Sequence, residues 1–368
     1  MDTRVFQCLR CGGQRWAVFH TLWRCEQCAH DYGCVGGVPR LLIEERVSRE
    51  DRSLRDYFYN GLLGRFYQVV MPFLTLPARP WKIAWKDWLV YGLVVTGLLT
   101  IYGRVAYSLA SGGWRSPSFL DVGALAAAVA TAVFFARHPY LLQLLLLAVP
   151  VKLSLCRSRF RPHRSFGDVH AEWVDRFLEL SRTRGEKLRV LDISTGTCNS
   201  LFRHGWMKLD ADYAGLDLSE TMLAQGLRFM ADRGVAMSFA IGDAQALPFA
   251  SESFDIVLNY GALNGYGDAG RALREMARVA RPGGLVLFLD EQLYDRATVP
   301  ERMYFRAVLS SHNVIHRCPT ELMPPELADV TVHQIYEFYY LCTSIKRPIP
   351  EGPRDATGCS PPDVGLAS

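Results

Sequence analysis

The sequence lacks the features that mark several large classes of protein. Its net charge is only +4 over 368 residues, which disfavours a dedicated nucleic-acid-binding protein with a strongly basic face. Ten cysteines in so long a chain do not form the dense framework of a small disulfide-bonded protein. The first residues contain no basic region followed by an apolar run, so we expect no cleaved signal peptide. What remains is a folded chain with 49% hydrophobic residues, long enough for two or three domains.

Four of the cysteines form two Cys-x-x-Cys pairs separated by residues 12–24: Cys8, Cys11, Cys25 and Cys28. Two such pairs can place four thiolates tetrahedrally around one Zn²⁺, each sulfur about 2.3 Å from the metal. The pattern predicts a zinc ribbon over residues 1–46. Because so small a unit has little apolar core, we expect the metal to contribute folding energy, and four thiolates indicate a structural site. Two reduced, buried pairs are the alternative, and three nearby residues are alternative ligands: His20, His30 and Cys34.

The middle of the chain is unusually apolar. Residues 88–109 contain a single charge, Arg104, and residues 122–136 contain none. A helix needs about 20 apolar residues to cross a bilayer core of about 30 Å. We therefore predict membrane-embedded helices within residues 86–155, as a hairpin of 88–109 and 119–136. The leucine-rich run 140–155 would lie at the interface or re-enter. Buried helices of a large soluble domain are the alternative.

A strand, a tight turn and a helix follow one another in the second half of the chain. The pattern predicts a buried strand from Leu188 to Ile193, a turn containing Gly196 and a helix from about Asn199. Backbone N–H groups in such a turn can face a nucleotide-like ligand. Asp217 ends the next strand. It lies near the position, about 20 residues beyond the turn, from which a carboxylate can reach both hydroxyls of a ribose. Asp243 follows a third strand and could meet an adenine amino group.

Further strands and helices continue the alternation. A strand is predicted at 254–259, a helix at Ala269–Val279 and a strand at 285–289, opened by the turn Arg-Pro-Gly-Gly at 281–284. Strands that alternate with helices indicate a parallel sheet covered on both faces.

This series resembles the class I S-adenosylmethionine-dependent methyltransferases, and is most similar to the branch of quinone and sterol C-methyltransferases. The resemblance covers residues 168–346, and its most specific parts are Gly-Asp-Ala at 242–244, Leu-Pro-Phe at 247–249 and the turn at 281–284. It implies a doubly wound, mostly parallel seven-stranded α/β sheet of the Rossmann-like methyltransferase type over residues 156–347. It also implies S-adenosyl-L-methionine as cofactor, held by Asp192, Ser194, Gly196, Cys198, Asp217, Leu218, Asp243, Ala244 and Asn259.

The first loop departs from the family pattern. The family usually reads Asp-x-Gly-x-Gly-x-Gly, and here Ser194 and Cys198 hold the first and third glycine positions. If either position needs a positive φ, a non-glycine residue there costs about 1–2 kcal/mol. The missing glycines also disfavour a nicotinamide enzyme, whose fingerprint has three.

The remaining segments also have sequence features that suggest a role. Residues 47–85 would be a charge-rich linker followed by a helical cover, and 348–368 a disordered tail. The loop after the fourth strand offers Asn259, Tyr260 and Asn264 as residues that face cofactor or substrate, while Tyr304 and His312 are candidate bases. No catalytic residue is assigned, and the sequence gives no oligomeric state.

Together these patterns predict a membrane-anchored methyltransferase acting on a lipophilic acceptor, such as a quinone or prenyl lipid. Reduced thiols and a cytosolic cofactor place the ribbon and the methyltransferase domain on the cytoplasmic side, which requires an even number of membrane crossings. Two alternatives remain: a tethered methyltransferase of protein or RNA, the latter disfavoured by the near-neutral charge, and a membrane adaptor whose degraded site has lost catalysis.

Overall fold

The computed structural model describes residues 3–65, 85–111, 118–137, 151, 154–155, 160–310 and 313–348. The predicted segment 140–155 and the predicted tail lie almost wholly outside these residues, as does His312.

The amino-terminal ribbon is a small antiparallel sheet of four strands. These are β1 (Trp16–Val18), β2 (Leu22–Cys25), β3 (Asp31–Val35) and β4 (Val38–Pro39), paired in sequence order. Trp23 and Tyr32 are buried and belong to the same hydrophobic cluster as Leu191 and Phe254 of the main domain. The ribbon therefore does not fold around a core of its own.

The segment after the ribbon is more ordered than the charge-rich linker expected there. It forms a helix α1 (Arg49–Ser53), a π-helical turn (Leu54–Tyr59) and a short helix α2 (Leu62–Arg65). Ser48 begins α1 by accepting a hydrogen bond from the Asp51 amide, as helix N-caps do. Residues 44–65 are called the cover below.

Two long apolar helices form a hairpin. They are α3 (Trp85–Ala110) and α4 (Phe119–Arg137), close to the predicted 88–109 and 119–136. By length and composition both could cross a membrane, and only 6% and 11% of their apolar windows are buried. Because helices of a soluble core are mostly buried, this exposure is unlike that of a core. Where the helices touch, Arg104 and Ser108 contact Asp121.

The main sheet consists of β5 (Leu188–Ile193), β6 (Ala211–Asp217), β7 (Met237–Ile241), β8 (Phe254–Tyr260), β9 (Ala280–Glu291), β10 (Leu327–Tyr336) and β11 (Tyr339–Lys346). Their order is β10-β11-β9-β8-β5-β6-β7; β11 runs antiparallel to both β10 and β9, and the other neighbouring strands are parallel. This confirms the predicted Rossmann-like, mostly parallel seven-stranded sheet. The strand β9 begins earlier than predicted, because Ala280 pairs with Phe254 before the irregularity at the 281–284 turn.

Helices cover both faces of this sheet, as a parallel sheet requires. They are α5 (Phe166–Arg184), α6 (Asn199–Arg203), α7 (Glu220–Ala231), α8 (Ala269–Val279) and α9 (Val299–Tyr304). The bounds of α8 are those predicted from the sequence. Its apolar stripe, with Leu273 and Met276, packs on one face, while Val174 and Phe177 of α5 join the cluster on the other.

Candidate cofactor site

The carboxyl ends of four neighbouring parallel strands meet at one edge of the sheet. Ile193 pairs with both Leu216 and Asn259, and Asp217 pairs with Ile241. The Gly242 amide then donates to the Asp217 carbonyl over 3.0 Å. The first loop (residues 194–198), Asp217, Asp243 and Asn259 are therefore brought to the same edge, where ligands of open α/β sheets bind.

Every second residue of the first loop adopts the left-handed backbone conformation. Ser194 has φ +54°, Gly196 +50° and Cys198 +60°. The conformation that glycine adopts freely is thus retained at positions 194 and 198, although serine and cysteine occupy them. The cost of about 1–2 kcal/mol per residue expected for such positions applies to both.

Hydrogen bonds to the end of β6 and close packing against α7 hold the first loop in this shape. The Gly196 amide donates to Asp217 Oδ2 over 2.9 Å, and the Thr195 amide donates to the Leu216 carbonyl over 3.0 Å. Helix α7 approaches so closely that a Cβ at Gly226 would lie 2.7 Å from the Gly196 carbonyl oxygen and 2.8 Å from Cys198 Sγ. Gly226 was not identified from the sequence, because no local pattern marks a contact with a loop so distant in the chain.

Asp217 stands at the end of β6 with its carboxylate oriented by backbone groups. Its Oδ1 accepts from the Ser219 amide over 2.8 Å, while Oδ2 holds Gly196. Burial raises the pKa of Asp217 to about 6, and these amide donors oppose the shift. A carboxylate held in this way can accept hydrogen bonds from ribose hydroxyls.

Asp192 lies one residue before the end of β5 and is 2% exposed. Its Oδ2 accepts from Thr195 Oγ1 over 2.6 Å, and burial raises its pKa to about 7. Its observed partner is thus the first loop itself. Asp192 therefore fixes the first loop through Thr195, and its predicted contact with the cofactor stays a prediction.

Asp243 belongs to a network that reaches into the cover. Its Oδ1 accepts from the Gln245 amide over 2.8 Å, and Gln245 Nε2 donates over 2.7 Å to Asp51 Oδ2. Asp51 and Asp243 are each 6% exposed. Burial raises the pKa of Asp243, and the nearby Asp51 charge raises it further. The adjacent Ala244 is buried, while Leu218 beside Asp217 is half-buried.

Asn259 is fully buried and has one unsatisfied atom. Its Nδ2 donates to Tyr266 Oη over 2.8 Å and more weakly to the Ile193 carbonyl over 3.3 Å, while its Oδ1 has no hydrogen-bond partner. Tyr266 Oη also lies 2.7 Å from Ser194 Oγ, so this ring joins the first loop to β8. A buried acceptor without a donor is costly, so Asn259 Oδ1 is a suitable place for an ammonium or hydroxyl of a ligand.

Tyr260 and Asn264, in the loop after β8, form hydrogen bonds within the protein. Tyr260 Oη accepts from Trp206 Nε1 over 2.6 Å and contacts His170 Nε2 at 2.9 Å. Since His170 Nδ1 must donate to the Phe166 carbonyl, its Nε2 accepts the Tyr260 proton. Asn264 is fully buried and donates to the Glu291 carbonyl over 2.7 Å. These hydrogen bonds all lie within the protein, and the ligand-facing role suggested for both side chains stays a prediction.

Tyr304 was a candidate base, but the structure buries it completely against Phe338. Burial also raises its pKa above the usual range, which makes the phenol harder to ionise. Tyr304 is therefore part of the core.

The cover closes over the same edge and supplies residues that the sequence did not reveal. Asn60 Oδ1 accepts from Ser219 Oγ over 2.7 Å, and Gln225 Nε2 donates to the Gly64 carbonyl over 2.8 Å. Arg40, at the end of the ribbon, forms an ion pair with Glu220 at 2.6 Å. The cover and the end of the ribbon are thus fixed to the residues that follow Asp217.

The ribbon contacts the third loop (residues 242–250). The Gln7 amide donates to the Pro248 carbonyl and the Ala250 amide to the Val5 carbonyl, each over 2.9 Å. Phe6 packs against Phe249, and the backbone of Arg40 pairs with Ile241 of the edge strand β7 in a single parallel β-bridge. The ribbon thus covers an otherwise open sheet edge and supports the loop that carries Asp243.

The cysteines of the two Cys-x-x-Cys pairs converge within the ribbon. The sulfurs of Cys8, Cys11, Cys25 and Cys28 all lie within 4.8 Å of one another. The Cys8–Cys28 and Cys11–Cys25 sulfur distances are 3.7 and 3.6 Å. Tetrahedral coordination with bonds of about 2.3 Å requires sulfurs about 3.8 Å apart, so the donor set fits Zn²⁺.

Comparisons with the sequences of known proteins agree with this geometry. A family described as "Methyltransferase domain" matches residues 191–288. The ubiquinone/menaquinone biosynthesis C-methyltransferase of Dinoroseobacter shibae is 31% identical over 185 residues, 49% of this chain and 68% of that protein. The protein of the same description from Cereibacter sphaeroides is 36% identical over 131 residues, 34% of this chain but only 50% of its own length. Among solved structures, the [4+2]-cyclase SpnF overlaps 51% of this chain and 85% of its own, with 16% identity and a TM-score of 0.39.

The sheet order, the edge of convergent residues, the family match and the two curated relatives define an S-adenosylmethionine-dependent methyltransferase of class I. More narrowly, the chain belongs to the methyltransferase family that includes the ubiquinone/menaquinone biosynthesis C-methyltransferases.

Proposed function

We propose that this methyltransferase is anchored in a membrane and methylates a quinone-type lipophilic acceptor. The exposed apolar hairpin α3–α4 carries the proposal, because it is inserted between the cover and the methyltransferase domain of the same chain. The curated relatives are named for C-methylation in ubiquinone and menaquinone biosynthesis, which supports a quinone ring as acceptor.

The residues at the sheet edge fit S-adenosylmethionine. Asp217 has a carboxylate oriented to accept from ribose hydroxyls, and Asp243 lies beside the neighbouring strand end, where the adenine would lie. The unsatisfied Asn259 Oδ1 can accept a hydrogen bond from the ammonium group of the amino-acid part. The first loop, Ser194 to Cys198, would approach the same part with its backbone.

The cofactor, when bound, supplies a methyl group that is reactive because it is attached to a positively charged sulfur. The protein then contributes mainly by alignment and by excluding water, which together can lower a barrier by several kcal/mol. The cover serves this purpose, because Asn60 and Asp51 fix it to the loops after β6 and β7. Catalysis is therefore attributed to positioning, and no base is assigned.

We infer that the ribbon binds one structural Zn²⁺ through Cys8, Cys11, Cys25 and Cys28. Four thiolates leave no open coordination position, which is typical of a structural rather than a catalytic metal site. The metal would stabilise the ribbon and, through Phe6 and Gln7, the third loop.

The hairpin supports an orientation in the membrane. The helices α3 and α4 lie against each other, which supports a return of the chain to the side from which it came. Tyr57 of the cover donates to the Arg137 carbonyl at the end of α4 over 3.0 Å, which supports a hairpin base close to the cover. Because zinc-binding thiols and the cofactor suit a reducing compartment, that side would be the cytoplasm.

Two measurements test the proposal. Isothermal titration of the full-length protein in lipid nanodiscs should show binding of S-adenosylmethionine, and lipid mass spectrometry of cells with and without the protein should show one lipid gaining a methyl group. Cofactor binding with methylated protein or RNA in place of lipid would favour the tethered alternative. Absence of cofactor binding would contradict the enzymatic assignment.

A further inference from the structure

An open pocket of about 260 Å³ lies against β10, the strand at one edge of the main sheet. One wall is formed by residues 160–164, which lie between the hairpin and α5 in the sequence, and the other by residues 332–334 of β10. The walls combine cationic with apolar side chains: Arg161, His163, Arg164 and His333, with Phe160, Pro162 and Val332. Among the described residues no acidic side chain lines the pocket, so its charge suits an anion.

The positive charge of the pocket is only partly compensated. Arg164 forms an ion pair with Glu172 of α5, whereas Arg161 and His163 form none within the described part of the chain. Arg161 Nη1 donates to the carbonyl of the preceding residue over 2.9 Å, and its other N–H groups can donate to a ligand. Burial lowers the pKa of His333, and the charges of Arg164 and His163 lower it further, while Glu172 opposes them. A bound anion would offset this repulsion between cations.

The position of β10 at the sheet edge adds backbone donors. Among the described strands, β10 pairs only with β11, in an antiparallel register that places His333 opposite Leu341. In an antiparallel pair, the N–H groups of alternate residues point away from the neighbouring strand. An anion on this edge can therefore accept hydrogen bonds from the backbone as well as from Arg161 and His333.

The apolar part of the lining distinguishes between two sources of a phosphate group. A free phosphate ion gains nothing from apolar walls, whereas the glycerol and the first acyl carbons of a phospholipid would be covered by them. Val332 is 38% exposed, and the ring of Phe160 is held against Tyr294 with 5.5 Å between the centroids. The combination of cations and apolar side chains thus favours a lipid headgroup.

A second exposed apolar surface lies beside the segment that precedes the pocket. Ser154 Oγ contacts Thr298 Oγ1 at 2.8 Å and donates to Glu301 Oε1 over 3.0 Å, which fixes that segment to the first turn of α9. On α9, Val299 and Met303 are one turn apart and are 70% and 54% exposed. Apolar side chains exposed close to cationic ones are typical of protein surfaces that lie on an anionic bilayer.

We propose that this pocket binds the phosphate group of an anionic phospholipid headgroup and holds the methyltransferase domain on the bilayer surface. The proposal assigns Arg161 and His333 to donate to the phosphate oxygens, Arg164 to add its charge and Val332 to cover the glycerol. The lipid as source of the phosphate rests on the membrane anchor of the proposed function. The pocket does not depend on methyl transfer, because β11 and β9 separate β10 from the strands that carry the cofactor residues.

Titration of the full-length protein in detergent tests the pocket without requiring membrane insertion. The probes are phosphatidylglycerol and phosphatidylcholine with the same short acyl chains, and glycerol 3-phosphate, with each Kd measured by isothermal titration. Phosphatidylglycerol should bind about tenfold more tightly than either of the others. Equal binding of phosphatidylcholine would show that the negative charge is not recognised, and equal binding of glycerol 3-phosphate would indicate a free phosphate ester. Either result would overturn the proposal, as would tighter binding of a phosphoserine peptide, which would indicate a protein partner.

Variants locate the binding in the pocket. The double variant Arg161→Gln with His333→Gln should raise the Kd of phosphatidylglycerol about tenfold and leave the melting temperature and the Kd of S-adenosylmethionine unchanged. Arg182→Gln, at an arginine of α5 whose side chain is 74% exposed, is the charge-matched control and should leave lipid affinity unchanged. Unchanged affinity in the double variant, or an equal loss in the control, would overturn the pocket as the lipid site.

The pocket and the proposed anchor fail in different ways. Selective binding of phosphatidylglycerol by a protein that does not insert into membranes would support the pocket and contradict the anchor. Insertion of the hairpin with no preference for phosphatidylglycerol would support the anchor and contradict the pocket.

Discussion

The ring of Phe6 in the ribbon packs against the ring of Phe249 in the third loop, with 5.1 Å between their centroids. Both side chains are completely buried, and Phe6 also meets Trp23 edge-on at 5.3 Å. A residue two positions before the first cysteine thus belongs to the support of the loop that carries Asp243. The ribbon and the cofactor edge are physically coupled through this contact.

Phe6→Ala should weaken this coupling. Removing a fully buried phenylalanine costs about 3–5 kcal/mol of stability, because a cavity is left. The third loop should become less ordered, and we expect the Kd of S-adenosylmethionine to rise about tenfold by isothermal titration. Phe19→Ala, which removes an exposed ring of the ribbon, is the control and should change neither stability nor affinity. Unchanged cofactor affinity in Phe6→Ala would show that the ribbon is energetically separate.

Removal of the proposed Zn²⁺ should also weaken the binding of S-adenosylmethionine. The purified protein should contain one zinc per chain by elemental analysis. Cys28→Ser, at the exposed cysteine of the cluster, should lower both the zinc content and the melting temperature. Because metal binding contributes folding free energy to such small units, chelation should also weaken cofactor binding. Cys34→Ser, at a cysteine outside the cluster, should retain zinc, and loss of zinc there would revise the ligand set.

The strain at Ser194 can be separated from its hydrogen bond. Ser194→Ala loses the contact with Tyr266 but keeps a side chain at φ +54°, whereas Ser194→Gly loses the contact and relieves the strain. The glycine variant should therefore be more stable than the alanine variant by about 1 kcal/mol in urea denaturation. Equal stabilities would mean that the left-handed conformation of the loop is not maintained in solution.

Patterns confined to short stretches were predictable from the sequence, and contacts between distant stretches were not. The bounds of β5 and α8 follow from local apolar runs and turns, and the two cysteine pairs are recognised by their Cys-x-x-Cys spacing. Asn60 contacting Ser219 and Asp51 contacting Gln245 depend on tertiary packing between segments far apart in the chain. No local pattern marks such pairs, so the role of the cover in closing the site was visible only in the structure.

The burial of Asp192 should make stability depend on pH. Its pKa is raised to about 7 in the folded protein, above the ordinary value of 3.8, so the folded state binds this proton more tightly. The stabilising contribution is therefore fully present below pH 3.8 and is lost as the pH rises through 7.

Asp192→Asn tests this effect, because it removes the charge while its amide oxygen can still accept from Thr195. The variant should be more stable than the parent by about 2–4 kcal/mol at pH 8, with a much smaller difference at pH 5. Urea denaturation at the two pH values measures this. A difference that does not change with pH would show that Asp192 is ionised freely in the folded protein.

The pair Arg104–Asp121 provides the sharpest test of the proposed membrane hairpin. Arg104 Nε donates to Asp121 Oδ1 over 2.8 Å, joining the last turns of α3 to the first turn of α4. In a bilayer each charge alone is costly, about 2.5–3.5 kcal/mol at the centre and less toward the ends of a helix, so removing one partner leaves the other uncompensated.

Asp121→Ala and Arg104→Ala should each reduce membrane insertion, whereas the double variant should insert better than Asp121→Ala. A glycosylation-based insertion assay in microsomes gives the free energies, and the double-mutant cycle should yield a coupling of about 1 kcal/mol. Additive effects would mean that the pair does not form in the membrane, and insertion of none of the proteins, the parent included, would contradict the anchor itself.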